Sequence, residues 1–428
     1  MMRLLNILKR SSFFSSIAML TTGSFFAQLI VVLCSIFITR LYSVSEIGIY
    51  SYFLVISTTF TAILNFRYDM AIVSEENEEN IFPLIKLSLL IGTVISILVT
   101  FAFGIYFWLL KPEYSSYRYI IPFFFFLMFS NTIINVITAY NNRIREYGVL
   151  SKVTVIRSIC QNIGGIILGF FKIGVLGLIL PYTIGQYCCI RMQSKTLFPS
   201  LRRIVCINRT ILKKVALKHK NLPLFSVPAM FANSLSYTSV TVFLEMLFDM
   251  EVVGLYSLST RILGLPLALI SGNVSKVFMQ EASVEYAKGI GFEKAYKKTL
   301  SFLTVIAIPM GILIYFLAPL ACGFFLGEKW LVAGEYIQIL IPYYMLRFIG
   351  TALSPGLIVC KKQKREFFIQ VLLVLTSIIS YIFTIFTIQT VDVFLWFICV
   401  SKSLVYVFLI YSLWRESNNN KVNTSYCS

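Results

Sequence analysis

The sequence predicts an all-α protein that crosses a membrane about twelve times, and three observations predict it. Of its 428 residues, 58% are hydrophobic and 13% charged, and the mean hydropathy is +0.81. Soluble domains carry roughly 25% charged residues. Apolar runs of about 20 residues, each long enough as a helix to cross roughly 30 Å of hydrocarbon, recur along the whole chain. The charges between these runs fall in short loops, and Lys and Arg outnumber Asp and Glu by 37 to 19.

The expected spans are 14–38, 48–73, 82–110, 119–140, 150–171, 174–192, 222–247, 253–278, 299–325, 335–360, 366–388 and 392–414. The first follows Arg3, Lys9 and Arg10. Its length and the lack of a small-residue cleavage site after it fit an uncleaved helix rather than a secretory signal. With the N-terminus inside, about 27 of the Lys and Arg residues fall in cytoplasmic segments or at their boundary, as the positive-inside rule requires. Arg40, Lys111, Arg118, Lys172 and Lys329 fall outside with eight acids: Glu46, Glu113, Glu245, Asp249, Glu251, Glu328, Glu335 and Asp392. Both termini are then cytoplasmic. The net charge of +18 is a topology signal, and no nucleic-acid partner is expected, since the charge is spread over loops.

The longest loop divides the chain into six-span halves, 1–192 and 222–414, leaving 193–221 as a basic cytoplasmic linker and 415–428 as a tail. The linker holds Lys195, Arg202, Arg203, Arg209, Lys213, Lys214, Lys218 and Lys220, suited to anionic headgroups of the surrounding lipid. Glu46-Ile47-Gly48-Ile49-Tyr50-Ser51 opens the second span, and Val252-Val253-Gly254-Leu255-Tyr256-Ser257 opens the eighth. Equivalent placement in two halves that both start from the cytoplasm predicts a parallel pseudo-repeat.

Several spans carry a polar stripe. At 100° per residue, Thr21, Ser24, Gln28, Ser35 and Thr39 fall within about 60° of one another. Asn131, Asn135, Thr138 and Asn142 do the same in the fourth span, and Ser226, Asn233 and Tyr237 in the seventh. One stripe is compatible with hydrogen-bonded glue between helices. Stripes in both halves favour a shared aqueous cleft.

Buried cations are the strongest functional signal. Arg347 lies mid-span, sharing a face with Tyr343, Tyr344, Gly350, Thr351 and Ser354. Lys402 holds the same depth in the last span. Arg261 lies roughly 12 Å inside the eighth, with Ser257 and Gly264 on its face and Pro266 after it. A cation at such depth needs a partner or a wet cavity, so these residues point to anion handling. Arg67 lies about two turns from the cytoplasmic end, where its head either snorkels to lipid or reaches the cleft. Arg157, with Gln161 one turn on, sits close to the cytoplasmic interface. Asp69 is the one acid expected deep and far from the periplasmic boundary. It is either one half of a structural ion pair or a group that couples transport to a proton or sodium gradient.

Catalysis and metal binding find little footing. His219 is the sole histidine and lies in the linker, the nine cysteines form no C-x-x-C, and no glycine-rich phosphate loop follows a strand. No catalytic residue, metal or cofactor is expected.

The stretches Thr39-Arg40-Leu41-Tyr42-Ser43-Val44-Ser45-Glu46-Ile47-Gly48-Ile49-Tyr50 and Phe66-Arg67-Tyr68-Asp69-Met70-Ala71-Ile72-Val73 resemble the N-terminal signature of Wzx-type polysaccharide flippases, in the multidrug/oligosaccharidyl-lipid/polysaccharide (MOP) superfamily. The resemblance implies two six-helix lobes in a V around a central cationic cleft. It implies a carrier of undecaprenyl-pyrophosphate-linked oligosaccharide, O-antigen or a similar surface glycan, across the bacterial inner membrane, with a polysaccharide polymerase and chain-length regulator as expected partners. Arg261, Arg347, Arg67 and Lys402 would then hold the pyrophosphate. Thr21, Ser24, Gln28, Asn131, Asn135, Asn233, Tyr237, Tyr343 and Thr351 would line the cavity. A drug exporter of the same superfamily would favour acids in its cleft. A membrane polymerase would carry a large periplasmic loop, whereas the outward loops here are short.

Overall fold

The computed structural model describes residues 2–110, 112–289, 291–360, 362–387 and 390–423. The side chains of residues 2–18, 20–21, 110, 112–113, 201–202, 266–268, 363 and 419–423 lie outside the described set, and Thr21 is among them. The described residues are helical, with no strand. Nine helices among them are long and apolar enough to cross a membrane. Three of the twelve expected spans fall short. The second breaks after Thr61, the sixth is interrupted at Cys189 between the helical stretches Leu176–Cys188 and Ile190–Gln193, and the seventh carries Asn233, Ser234, Ser236, Thr238, Ser239 and Thr241.

The chain divides into two units, Met1–Ser43 with Phe53–Phe231, and Val44–Tyr52 with Ala232–Ser428. The linker thus groups with the first unit, and the start of the second span groups with the second. Through the first unit run α1 (Met2–Leu41), the part of α2 (Val44–Thr61) from Phe53 onward, α3 (Tyr68–Ser74), α4 (Ile81–Ile105), α5 (Ile120–Arg143), α6 (Tyr147–Phe170), α7 (Leu176–Cys188) and α8 (Arg209–Lys218), while Val44–Tyr52 of α2 belong to the second. The second is built on α9 (Val227–Leu247), α10 (Met250–Pro266), α11 (Gly272–Ala287), α12 (Glu293–Ala321), α13 (Leu331–Leu353), α14 (Gln363–Phe386) and α15 (Val391–Asn423).

A turn at 62–67 separates α2 from α3, with Phe66 at φ 47 and Arg67 at φ 62. Neither residue is glycine, so the left-handed backbone is strained and must be held by its surroundings. Asn65 holds it. Its amide donates to the carbonyls of Ser88 on α4 (3.1 Å) and Thr132 on α5 (3.3 Å). Asn135 donates to the Asn65 side-chain oxygen at 3.0 Å and to the Thr61 carbonyl at 3.2 Å. The broken helix turn is thereby satisfied inside the protein.

A buried carboxylate clasps part of the basic linker. The Glu75 side chain is 1% exposed and takes Lys218 Nζ at 2.5 Å and His219 Nε2 at 2.7 Å. Burial by itself pushes the Glu75 carboxyl up, but hydrogen bonds from Lys218, the Asn77 backbone, His219 and Asn80 bring it down from 4.5 to about 2. Val215 of α8 packs into an apolar cluster with Ala71, Ile72 and Ile85. Lys86 donates to the carbonyls of Val205 (2.6 Å) and Ile207 (2.9 Å). Lys218, His219 and Lys86 are therefore engaged with the protein. In the second unit Glu416 plays a similar part, with Lys362 and Arg365 each at 2.5 Å.

The two copies of the repeated motif meet. A Cβ on Gly48 would run into the Met250 carbonyl, and one on Gly254 would run into the Val44 carbonyl. This close backbone approach of α2 to α10 explains why both motifs carry glycine at the third position. Gly48→Ala is expected to cost about 1–3 kcal/mol of stability through overpacking. A thermal unfolding midpoint equal to that of the wild type would count against the tight crossing.

The Glu75 clasp carries a pH signature. Its folded-state pKa lies below the ordinary 4.5, so its contribution is complete above pH 4.5 and is lost as pH falls towards about 2. Glu75→Gln should melt below the wild type at pH 7, with the gap closing as the pH drops through 4. A gap that stays constant over that range would exclude the clasp as its source.

Candidate anion-binding site

In the second unit, three helices converge on Arg347 of α13. Its guanidinium carbon stands 4.3 Å from the centre of the Tyr237 ring on α9 and 5.4 Å from that of Tyr344. Tyr343 and Tyr344 also make side-chain hydrogen bonds with Arg347. Tyr406 of α15 and Tyr256 of α10 act on it electrostatically. Cation–π attraction to such rings offsets part of the lost hydration but supplies no counter-charge. The Arg347 Nε is buried and has no hydrogen-bond partner among the described residues.

Lys402 of α15 completes the site. It is 2% exposed, its Nζ donates to the Ser236 carbonyl on α9 at 2.7 Å, and the Tyr343 ring centre lies 5.9 Å away. Arg347 is its electrostatic neighbour. Neither cation forms an ion pair with a carboxylate among the described residues. Two cations side by side repel, and a buried ammonium with one carbonyl acceptor leaves two N–H bonds unmet. An anion with several oxygens would answer both deficits, and a diphosphate is such an anion.

Polar groups border the pair. Asn233 Oδ1 is buried without a partner, and the Ser236 hydroxyl bonds Gln370 Oε1 at 3.3 Å. The Thr351 hydroxyl donates back to the Arg347 carbonyl, so its capacity is used within the helix.

The other residues singled out by sequence fall on α10 and in the first unit. Arg261 is half-buried on α10 and has a contact of its own. It stands five residues after Tyr256, about 140° round the helix, and so faces away from that tyrosine. Arg67, in the α2–α3 turn of the first unit, has a buried Nε without a partner. Asp69 follows on α3, half-buried. Asn131 donates to the Thr61 hydroxyl at 3.0 Å, and Asn135 joins the Asn65 knot, so their amides tie α5 to α2. On α1, Ser24 is exposed and Gln28 half-buried. Sequence reasoning missed Tyr406, Ser236 and Gln370. Tyr406 was detectable, since it stands one turn from Lys402 on the same face.

The family model described as polysaccharide biosynthesis protein matches residues 37–335. The chain belongs to that family. Its fold is similar to that of a multidrug resistance MATE family transporter of the MOP superfamily in an inward-facing conformation, with a TM-score of 0.71 and 15% identity over 94% of this chain and 95% of that one. It is also similar to the lipid II flippase MurJ in an inward closed conformation, at TM-score 0.69 and 16% identity over 94% and 90% of the two chains. A third similar fold is a MOP superfamily transporter from Pyrococcus furiosus with a binding pocket described as of reverse polarity, at TM-score 0.64 and 15% identity over 95% and 96%. No protein of curated function matches the chain by sequence. At such identities these structures share the fold. Family, fold and apolar helices make this a multi-pass membrane protein of MOP-superfamily architecture.

Lys402→Met removes an unpaired buried charge and should leave the thermal midpoint unchanged or raised. Both Lys402→Met and Arg347→Gln should weaken binding of inorganic pyrophosphate at least tenfold in a calorimetric titration of the purified protein. Affinities equal to the wild type in both variants would remove the site.

Proposed function

We propose that this protein is a Wzx-type flippase that carries undecaprenyl-pyrophosphate-linked oligosaccharide units, for O-antigen or a similar surface polysaccharide, across the bacterial inner membrane. The observation that carries the reading is the Arg347–Lys402 pair, buried among tyrosines with no ion-pairing carboxylate among the described residues. The diphosphate supplies the missing negative charge, and the planar guanidinium suits its oxygens. Tyrosine and asparagine side chains around the pair offer ring faces and hydrogen bonds to the first sugars. The polyprenyl tail stays in lipid throughout.

Membership of a polysaccharide biosynthesis family favours a glycan cargo, and a fold like that of a lipid II flippase favours a lipid-linked one. We assign twelve spans in two lobes, both termini in the cytoplasm, and alternating access as the mode of transport. Coupling to a proton or sodium gradient through Asp69 completes the scheme, with a polymerase and chain-length regulator acting on the released units. Export of small cationic drugs fits less well, since a cationic site repels them.

Removal of this chain from its host should cause complete single lipid-linked units to accumulate on the cytoplasmic face while the surface polymer is lost, with both restored by a plasmid copy. Unchanged amounts of both would refute the reading. Accumulation on the outer face instead would point to a polymerase.

A further inference from the structure

The first unit contains an unmet cation of its own. α6 runs from Tyr147 to Phe170. Arg157 therefore stands about 15 Å from one end and about 20 Å from the other at 1.5 Å per residue. That is mid-helix, rather than the interface expected from the sequence. Its Nε and Nη2 are both buried without a hydrogen-bond partner. These two nitrogens share one edge of the guanidinium plane, and their N–H bonds run parallel. This is the edge that grips two oxygens of a carboxylate or phosphate together. Arg67, Arg118 and Arg347 each leave Nε alone unmet; among the described residues Arg157 alone leaves a pair.

The facing helix adds a second unmet group. Tyr182 of α7 is an electrostatic neighbour of Arg157 and hydrogen-bonds through its side chain with Gln186, one turn on. Gln186 is 6% exposed, and its Oε1 has no partner. Gln161, one turn from Arg157, donates to the Tyr182 carbonyl at 3.3 Å and fastens α6 to α7 at this level. The neighbourhood so offers two parallel donors on α6 and one acceptor on α7.

We propose that Arg157, with Tyr182 and Gln186, is a binding site for an oxyanion of the carried molecule, gripped by the Nε–Nη2 edge, with a neighbouring hydroxyl donating to Gln186 Oε1. The proposal rests on the lipid-linked glycan reading above. Two parts of such a cargo have the required chemistry: the diphosphate, and an acidic sugar, in which a carboxylate stands beside ring hydroxyls. The site holds its ligand within the first unit and is built independently of Arg347 and Lys402.

The test uses the purified full chain in detergent, titrated with inorganic pyrophosphate and with glucuronate. Arg157→Gln removes charge and edge together, Arg157→Lys keeps the charge and loses the edge, and Gln186→Leu removes the unmet acceptor without burying a new polar group. Both Arg157 variants should weaken binding of at least one probe tenfold or more, with thermal midpoints within a few degrees of the wild type. A loss confined to pyrophosphate identifies the diphosphate as the ligand. A loss confined to glucuronate, accompanied by a weaker loss in Gln186→Leu, identifies an acidic sugar. Equal binding of both probes by wild type and variants, or binding of neither by the wild type, overturns the site. Should Arg157→Gln fold poorly, Arg157→Lys carries the same decision. The outcome is separable from the flippase reading. Arg157-dependent binding in a protein whose removal leaves surface polysaccharide intact sinks the flippase and keeps the site. Arg157-independent binding in a protein whose removal abolishes the polymer does the reverse.

Discussion

Positive charge held in an apolar interior must be neutralised, hydrated or shielded, and this constraint governs the second unit. Arg347 and Lys402 receive only shielding: tyrosine rings, tyrosine hydroxyls and one backbone carbonyl. Such groups lower the cost of burial without cancelling the charge. Where the fold needs a closed ion pair it makes one, as Glu75 does with Lys218 and Glu416 with Lys362 and Arg365. Acids are thus used to tie loops and helix ends, whereas the buried arginine and lysine at Arg347 and Lys402 are left without them. A site held for an incoming anion requires this division, because a resident carboxylate would compete with the ligand.

Class and the two buried cations of the second unit were legible in the sequence because both follow from hydropathy and depth. Arg347 and Lys402 stood out as charges in runs where charge is expensive, and the structure sets them side by side. The α2–α3 break was not legible. It contains neither glycine nor proline, and its strained residues Phe66 and Arg67 are held by Asn65 through contacts with α4 and α5 that are remote in sequence. The Asn131–Asn135 stripe was visible, but the direction it faced was not. Helical periodicity says which residues share a face; the neighbouring helix decides whether that face meets water or protein. Here the amides of Asn131 and Asn135 meet Thr61 and Asn65, while both residues stay half-exposed. Arg157 was underrated for a related reason, since its depth was measured from a span boundary drawn three residues inside the helix start at Tyr147.

The two cations of the second unit are not equivalent, and the difference bears on selectivity. Arg347 holds a planar fork against two ring faces, which fixes its plane and leaves Nε unspent. Lys402 is a point charge on a flexible stem, anchored by a single bond to the Ser236 carbonyl. A fixed fork selects the geometry of its oxyanion, and a mobile ammonium follows the charge. Together they favour a ligand with one well-placed phosphate and a second that is less constrained, which describes a diphosphate joining a sugar to a mobile polyprenyl chain. A carboxylated drug would satisfy the fork and leave the ammonium unmet. The pairing of arginine with lysine, rather than two of either, therefore suits a phosphate-bearing ligand, which has an oxygen for the ammonium beyond the two that the guanidinium takes.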